Sequence, residues 1–329
     1  MLVCYRDQAD VTLRCLHSLA RQHVTGELEL VLVDNQSRPD QAQKVTDAAR
    51  AMFGDERVIA LRYDAPFNHS AQNNLAAEAA TGEVLVICNN DVVLEEPTAL
   101  EQLAAWALQE GVATVGCRLE NDLRGAGSYG HVLRRLDDDP FRACLGENPD
   151  AAFSRFVHAA PGNTLALAAI RRDRFFAIGG LDARRFPVGY NDAEFMLRAA
   201  REGYRHLYLG HVAARHMRGH SRTGDNEDAQ AFLINRLYPE ATAARFAQLV
   251  QERVEPPPET AKAKAAAPNP PPAEAAPEPE ADASAPSEDA RREAEAQRAR
   301  LAAVLASASD LSRQLAAELT AAQTAALGD

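Results

Sequence analysis

No glycine-rich loop follows the first strand-like run of this 329-residue chain, and no GxxxxGK[ST] sequence occurs in it. These two absences argue against a dinucleotide-binding oxidoreductase and against a P-loop nucleotidase. Positive charge is in deficit as well. The formal net charge is −12, so a nucleic-acid-binding surface is not expected. No apolar run approaches the ~20 residues of a membrane span. No secretory leader precedes Met1. The first strand-like run starts at the initiator itself, an abrupt beginning that suggests a natural chain extending upstream. The five cysteines are Cys4, Cys15, Cys88, Cys117 and Cys144. They are odd in number and form no CxxC pair, so reduced core thiols in a cytoplasmic protein are the simplest account.

What is present is organised around Thr81–Leu94, TGEVLVICNNDVVL. Val84–Cys88 is apolar without alternation, the pattern of a strand buried on both faces. It ends in Asn89, Asn90 and Asp91. A carboxylate at the carboxyl end of such a strand can hold a divalent cation, which in turn can hold phosphates. Taken alone, Asn-Asn-Asp is equally good turn composition.

The flanking residues repeat the theme. Leu2–Tyr5, Glu29–Val33 and Val58–Tyr63 read as strands. Helices are expected over Val11–Gln22 with Asp10 as cap, over Pro39–Phe53, and over Ser70–Ala80. This β-α-β-α-β-α-β order predicts a mostly parallel sheet with helices on both faces. Thr98 should cap a helix through Gln109, with Leu100, Leu103, Trp106 and Ala107 inward, and Ala113–Cys117 should be a strand. Residues 121–148 are irregular and read as an insertion over one edge of the site, with Asp137–Asp139 a solvated turn. A strand at Leu165–Ile170, a short helix at Arg171–Ile178, a helix over Asn191–Glu202 and a strand at Tyr204–Leu209 complete the pattern. His211–Gly224 is rich in His, Arg and Gly and shows no apolar period.

Composition shifts after Val254. Residues 255–287 are almost entirely Pro, Ala, Glu, Lys and Asp, the composition of a disordered linker. Residues 288–329 are Ala-rich and helical, with Leu301, Val304, Ala308, Leu311 and Leu315 at 3-4 spacing. A short coiled coil, self-association or docking of a protein partner are open readings of this helix. From Glu255 onward the chain carries 13 acidic and 7 basic residues, half of the net charge. The first 254 residues are therefore only mildly acidic, with room for a basic pocket.

Four polar strand ends or loops, Tyr5-Arg6-Asp7, Asp34–Ser37, Asn68–Ser70 and Asn89–Asp91, would gather at one edge of a parallel sheet. Converging polar groups of this kind describe a small-molecule site.

Three stretches in order resemble the family 2 glycosyltransferases: VLVDNQS at 31–37, NHSAQNNLAAEAATGEVLVICNND at 68–91, and GGLDARRFPVGYNDAEFMLRAAREGYRHLYLGHVAARH at 179–216. The nearest likeness is to bacterial surface-polysaccharide and rhamnosyltransferase-like members. The resemblance covers residues 1 to about 225 and leaves out the linker and tail. It implies a GT-A-like α/β fold and an inverting enzyme, using a nucleotide-diphosphate sugar donor and a glycan or lipid-linked acceptor. It implies a cytoplasmic protein, associated peripherally if at all with the inner face of the plasma membrane. It also implies roles. Asp34 would contact the nucleotide base, and Tyr5, Arg6, Asn68, Asn89 and Asn90 would border the nucleotide. Asp91 and His216 would hold Mn²⁺ or Mg²⁺, and Asp192 would be the base. Asn89 stands where the Asp-x-Asp motif has a carboxylate, and Asn191 where the Glu-Asp pair has its glutamate.

Each residue has a plainer reading. Asp192 is also a helix-start acid. His216 lies among Arg215, Arg218, His220 and Arg222, a solvated basic loop or a cover for the diphosphate. Asn73 and Asn74 read as polar groups that hold the neighbouring loop, and Trp106 as core. The competing functional reading is a degenerate sugar-nucleotide fold that acts as a scaffold through its terminal helix.

Overall fold

The computed structural model describes residues 1–120, 127–134, 142–146, 156–217, 230, 233–234 and 236–239. All of these fall in the first of two compact units, Met1–Pro272; the second is Ala273–Asp329. The linker at 255–287, the helix at 288–329, the acidic turn at 137–139 and the arginines at 218 and 222 lie outside the described residues.

The first half alternates as expected: β1 (Leu2–Tyr5), α1 (Ala9–Ala20), β2 (Leu30–Asp34), α2 (Pro39–Phe53), β3 (Val58–Arg62), α3 (His69–Ala79) and β4 (Val84–Asn89). These strands lie in the order β3-β2-β1-β4, and every pairing among them is parallel. The second half departs from a mostly parallel sheet. It comprises β5 (Val92–Leu94), α4 (Ala99–Ala107), β6 (Val112–Glu120), β7 (Gly127–Arg134), β8 (Arg142–Gly146), β9 (Val157–Ala160), β10 (Leu167–Arg171), α5 (Arg172–Ala177), α6 (Asn191–Arg201) and β11 (Arg205–His216). β10 enters between β4 and β6 and runs antiparallel to both. β11 pairs parallel with β6 but antiparallel with β5 and β9. Within the irregular stretch at 121–148, β7 and β8 form an antiparallel pair continuing from β6.

Period-two alternation along the strands feeds two apolar layers. Val3, Leu32, Val86 and Leu167 pack with Leu16, Leu19, Val45, Leu103 and Trp106 on one face. Leu2, Val31, Ile87 and Ala168 pack with Ala76, Phe175, Phe195 and Met196 on the other. Burying one such leucine or phenylalanine is worth about 1.5–3 kcal/mol. Trp106 is core, as its helical position suggested. The thiols of Cys15, Cys88 and Cys117 are buried and free, and burial pushes the Cys117 thiol up to about 12.

Two helix starts differ from expectation. Asp10 does not cap α1, because Asp7 and Gln8 are both left-handed (φ 50° and 47°) and bring the chain into the helix at Ala9. Asp10 instead sits in the first turn, where an acid suits the helix dipole, and accepts from Lys44 Nζ at 2.8 Å. Thr98 makes no capping bond to α4.

Two buried features carry predictions. Gly116 of β6 faces the side chain of Asn163, whose amide donates to Thr114 Oγ1 and to Leu207 O at 3.0 Å each. A Cβ at residue 116 would lie 2.5 Å from Asn163 Oδ1 and 2.7 Å from its Cβ. Gly116→Ala is therefore expected to lower stability by about 1–3 kcal/mol in urea denaturation; an unchanged midpoint would contradict this packing. The second feature is His206. Its Nε2–H donates to Met196 O (2.9 Å), which leaves Nδ1 to accept from Thr114 (2.8 Å). Burial lowers its pKa from 6.5 to about 4. The unfolded chain binds this proton at higher pH than the folded one. The associated stability is thus complete above pH 6.5 and is lost as pH falls toward 4, up to roughly 3 kcal/mol. His206→Gln should flatten the stability profile across that window.

Candidate functional site

A cavity of about 420 Å³ opens at the carboxyl ends of β1 and β4, beside the starts of α1 and α3. This is the edge at which open α/β sheets bind ligands, and the volume suits a small molecule. Tyr5, Arg6, Asn89, Asn90 and Asp91 all line it. A larger cavity, about 540 Å³, lies at the opposite edge, around Met1, Val84 and Leu100. Four glutamates, Glu27, Glu29, Glu83 and Glu101, are among its lining residues, and Glu29 and Glu101 are bonded to Thr81 and Thr25.

Pairing between strands builds the centre of the site. Asp91 occupies the turn between β4 and β5. β5 then pairs with the end of β11, setting His216 opposite Val92, and Met217 N–H donates to Asp91 O at 3.0 Å. His216 Nε2 consequently lies 3.2 Å from Asp91 Oδ1. Both residues are buried, and His216 Nδ1 has no hydrogen-bond partner among the described residues. His216 is therefore not part of an irregular loop. From His211 to His216 the exposed and buried positions alternate, a period-two strand concealed by its His and Arg residues.

Asp91 Oδ1 and His216 Nε2 are a carboxylate and an imidazole donor close enough to share one divalent cation, whose other positions phosphate oxygens and water would fill. No third His, Cys, Asp or Glu joins them among the described residues. The neighbouring amides are engaged within the chain. Asn90 Nδ2 donates to Thr12 Oγ1 (3.0 Å), and Asn89 Oδ1 faces His69 Nε2 (3.4 Å).

The β1 and β2 ends are braced together. Asp34 Oδ1 accepts from Ser37 N–H (3.0 Å) and Oδ2 from Arg62 Nη1 (3.0 Å). Asp34 is buried, and its neighbour Asn35 lines the cavity instead. Asn35 is itself held by Tyr63 O, Ala65 O and Gln72 Nε2. Asp7 bonds Ser37 Oγ through its N–H and accepts from Arg38 N–H. Burial, and then Asp34, push the Tyr5 hydroxyl up to about 12. Tyr5 is therefore a neutral wall, while Arg6 stands exposed at the cavity mouth.

α3 and α6 close the other side. Asn68 caps α3 by accepting from Ala71 N–H (2.9 Å) and donates to Ala183 O (2.9 Å), so both ends of its amide are used within the chain. Asn74 grips Leu181 through N–H and C=O, the loop-holding role expected of it. α6 begins at Asn191 after Tyr190, which is left-handed at φ 53°. Asp192 is half-buried in the first turn, and its Oδ1 accepts from Ala193 N–H at 2.8 Å. Deeper in α6, buried Glu194 is bonded by Arg198 and by Tyr238 OH, which anchors the helix.

Asp192 does not line the cavity itself. It connects to it through Asn191, whose Nδ2 lies 2.9 Å from Nδ1 of the cavity-lining His69. His69, Asn35 and Gln72 are among the lining residues given no individual role from the sequence, and Asn73, expected to hold the neighbouring loop, lines the cavity too and donates to His69 O. The signal for His69 was Asn68, a favoured cap residue. Placing the helix start there rather than at Ser70 puts His69 in the first turn, facing the strand ends.

Comparison with known proteins adds four likenesses. A family model described as glycosyltransferase-like family 2 matches residues 1–236. The O-antigen biosynthesis protein RfbC of Myxococcus xanthus is 31% identical over 236 residues, 68% of this chain. The match spans only 18% of that much longer protein. Among solved structures, the mannosyltransferase PcManGT of Pyrobaculum calidifontis, in complex with GDP-Man and Mn²⁺, superposes with a TM-score of 0.50 at 21% identity, covering 77% of this chain and 64% of that one. GalNAc-T7 with UDP, GalNAc and Mn²⁺ gives a TM-score of 0.58 at 15% identity, over 71% of this chain and 46% of that one. At these identities the structures speak to the fold alone, a GT-A glycosyltransferase architecture.

Proposed function

This chain belongs to the glycosyltransferase-like family 2, and on that premise we propose that it is an inverting glycosyltransferase. It moves a sugar from a nucleotide-diphosphate donor to a hydroxyl of a glycan or lipid-linked glycan, in the synthesis of a surface polysaccharide. The observation that carries this reading is the buried Asp91–His216 pair, 3.2 Å apart at the edge of the cavity. The same pair suits a cation bound to a diphosphate.

The chain's own residues supply the remaining parts. Asn35, Gln72 and Tyr5 form a rigid wall for the nucleotide, and Arg6 offers positive charge at the mouth. When bound at Asp91 and His216, a divalent cation such as Mn²⁺ or Mg²⁺ would neutralise the charge that builds on the departing diphosphate. Asp192 takes the proton from the acceptor hydroxyl as that oxygen attacks the anomeric carbon. A single displacement of this kind inverts the anomeric centre. No helix among the described residues is long and apolar enough to cross a membrane. We place work on a lipid-linked acceptor at the cytoplasmic face as part of the same proposal.

The absence of a third acidic or imidazole ligand among the described residues favours a second reading, a sugar-nucleotide fold that has lost catalysis. Thermal stability with UDP, GDP, TDP and CDP, each with and without Mn²⁺, separates the two. Ligand at 100 times its Kd stabilises by about 2.7 kcal/mol, a shift of several degrees. A metal-dependent shift selective for one nucleotide is expected and would identify the donor class. No shift with any of the four would refute the enzyme reading.

A further inference from the structure

The polarity of the hydrogen bonds between α3, α6 and β4 is determined by the groups themselves. Asn191 Oδ1 accepts from Asp192 N–H at 2.9 Å. Its Nδ2 therefore faces His69 Nδ1 at 2.9 Å and Ser70 Oγ at 3.1 Å. Ser70 spends its own proton on Phe186 O at 2.6 Å, so it accepts from Asn191. An amide NH₂ only donates. His69 Nδ1 must then be the bare lone pair, and its proton resides on Nε2, facing Asn89 Oδ1 at 3.4 Å. Asn73 Nδ2 also lies 3.3 Å from His69 Nε2, but it donates at 2.9 Å to His69 O, and the shorter of the two amide contacts to the ring, 2.9 Å at Nδ1, decides the tautomer.

We propose that His69 is a positioning residue: a neutral, Nε2-protonated imidazole that ties the amide of Asn191 to that of Asn89. It thereby sets the first turn of α6, and Asp192 with it, relative to the strand end that carries Asp91. A second observation supports the need for such a tie. Tyr190, the residue from which α6 starts, is left-handed and has no side-chain capping bond. That conformation is unfavourable for a non-glycine residue and persists only where the surroundings over-determine it. The bonds of Asn191 to His69 and to Ser70 contribute to that determination. His69 acts through its neighbours, so the expected effect is on the geometry of proton removal and not on affinity for the donor. This inference rests on the glycosyltransferase reading for its kinetic part only.

Two variants separate polarity from shape. In His69→Gln the side-chain amide offers an acceptor to Asn191 and a donor to Asn89, whereas His69→Phe fills the space without either. His69→Phe is expected to lower kcat about 10- to 100-fold with the donor KM within about twofold, and His69→Gln to retain most of kcat. Equal impairment of both variants, or a loss that falls on KM, would overturn the positioning role. The tautomer is tested without activity. With ¹⁵N-labelled histidine, long-range ¹H–¹⁵N correlation spectra should show His69 protonated at Nε2, assigned by its disappearance in His69→Gln. Asn191→Asp, which presents an acceptor to Nδ1, should switch it to the Nδ1–H form. A native Nδ1–H tautomer refutes the proposal. An inactive native protein would count against the transferase reading, and the spectra would still decide the case of His69.

Discussion

Asp192→Asn is expected to reduce sugar transfer about 10²- to 10⁴-fold while leaving the fold and donor binding intact. An acceptor hydroxyl has a pKa far above neutrality, so it attacks poorly unless a base removes its proton during the attack. General-base catalysis contributes a factor of that size, which corresponds to roughly 3–5 kcal/mol of barrier. Asparagine keeps the oxygen that accepts from Ala193 N–H, so the first turn of α6 retains its local bond. What it lacks is basicity. The check is a steady-state comparison of kcat and donor KM with an assay of donor hydrolysis, in which water replaces the acceptor. A variant with unchanged kcat would show that Asp192 is only a helix-start acid. In that case the base would have to be sought elsewhere around the cavity.

The second large effect concerns Asp91. Asp91→Asn should abolish the metal-dependent part of nucleotide stabilisation and lower transfer by a hundredfold or more, since electrostatic stabilisation of a leaving group is worth several kcal/mol. Asparagine is the better test than alanine. The substituted amide would keep an oxygen to accept from His216 Nε2, now bonded to Asp91 Oδ1 at 3.2 Å. Asp91→Ala would leave a buried imidazole unsatisfied, at a cost of about 1–3 kcal/mol, and so confuse stability with function. Thermal titrations with nucleoside diphosphate, with and without Mn²⁺, read the outcome. A metal-dependent shift that survives in Asp91→Asn would remove Asp91 from the cation site. A shift in the native protein that never needed metal would place the diphosphate on basic groups such as Arg6.

The legible parts of the fold were those with a local cause. α2 begins at Pro39 and ends at Phe53 as read, because Pro suits the first helical turn and Gly54 adopts a positive φ directly after it. β2 and β4 were visible as unbroken apolar runs. The direction of β10 was not visible. A strand buried on both faces shows the same apolar pattern whichever way it runs, so Leu167–Arg171 gave no sign that it would pair antiparallel with β4 and β6. β11 was read as ending at Leu209. Its last residues are His and Arg, yet β5 and β6 satisfy its backbone on both sides, and backbone pairing does not depend on side-chain polarity. At the nucleotide end, Asp34 was visible as a strand-end acid. Its pairing with Arg62 came only from the alignment of β2 with β3.

By itself the sequence determined the type and order of the elements from β1 to β4, the burial of their apolar faces, and the gathering of polar strand ends at one edge, but not β5. These follow from residue periodicity and from capping and turn chemistry, which act over a few neighbours. The tertiary structure decided which distant residues share the site. His216 meets Asp91 because β11 pairs with β5, and Asn191 meets Asn89 through His69 because α3 and α6 start at the same edge. Such meetings depend on strand direction and register, set by long-range packing and backbone pairing, and no short window of sequence encodes them.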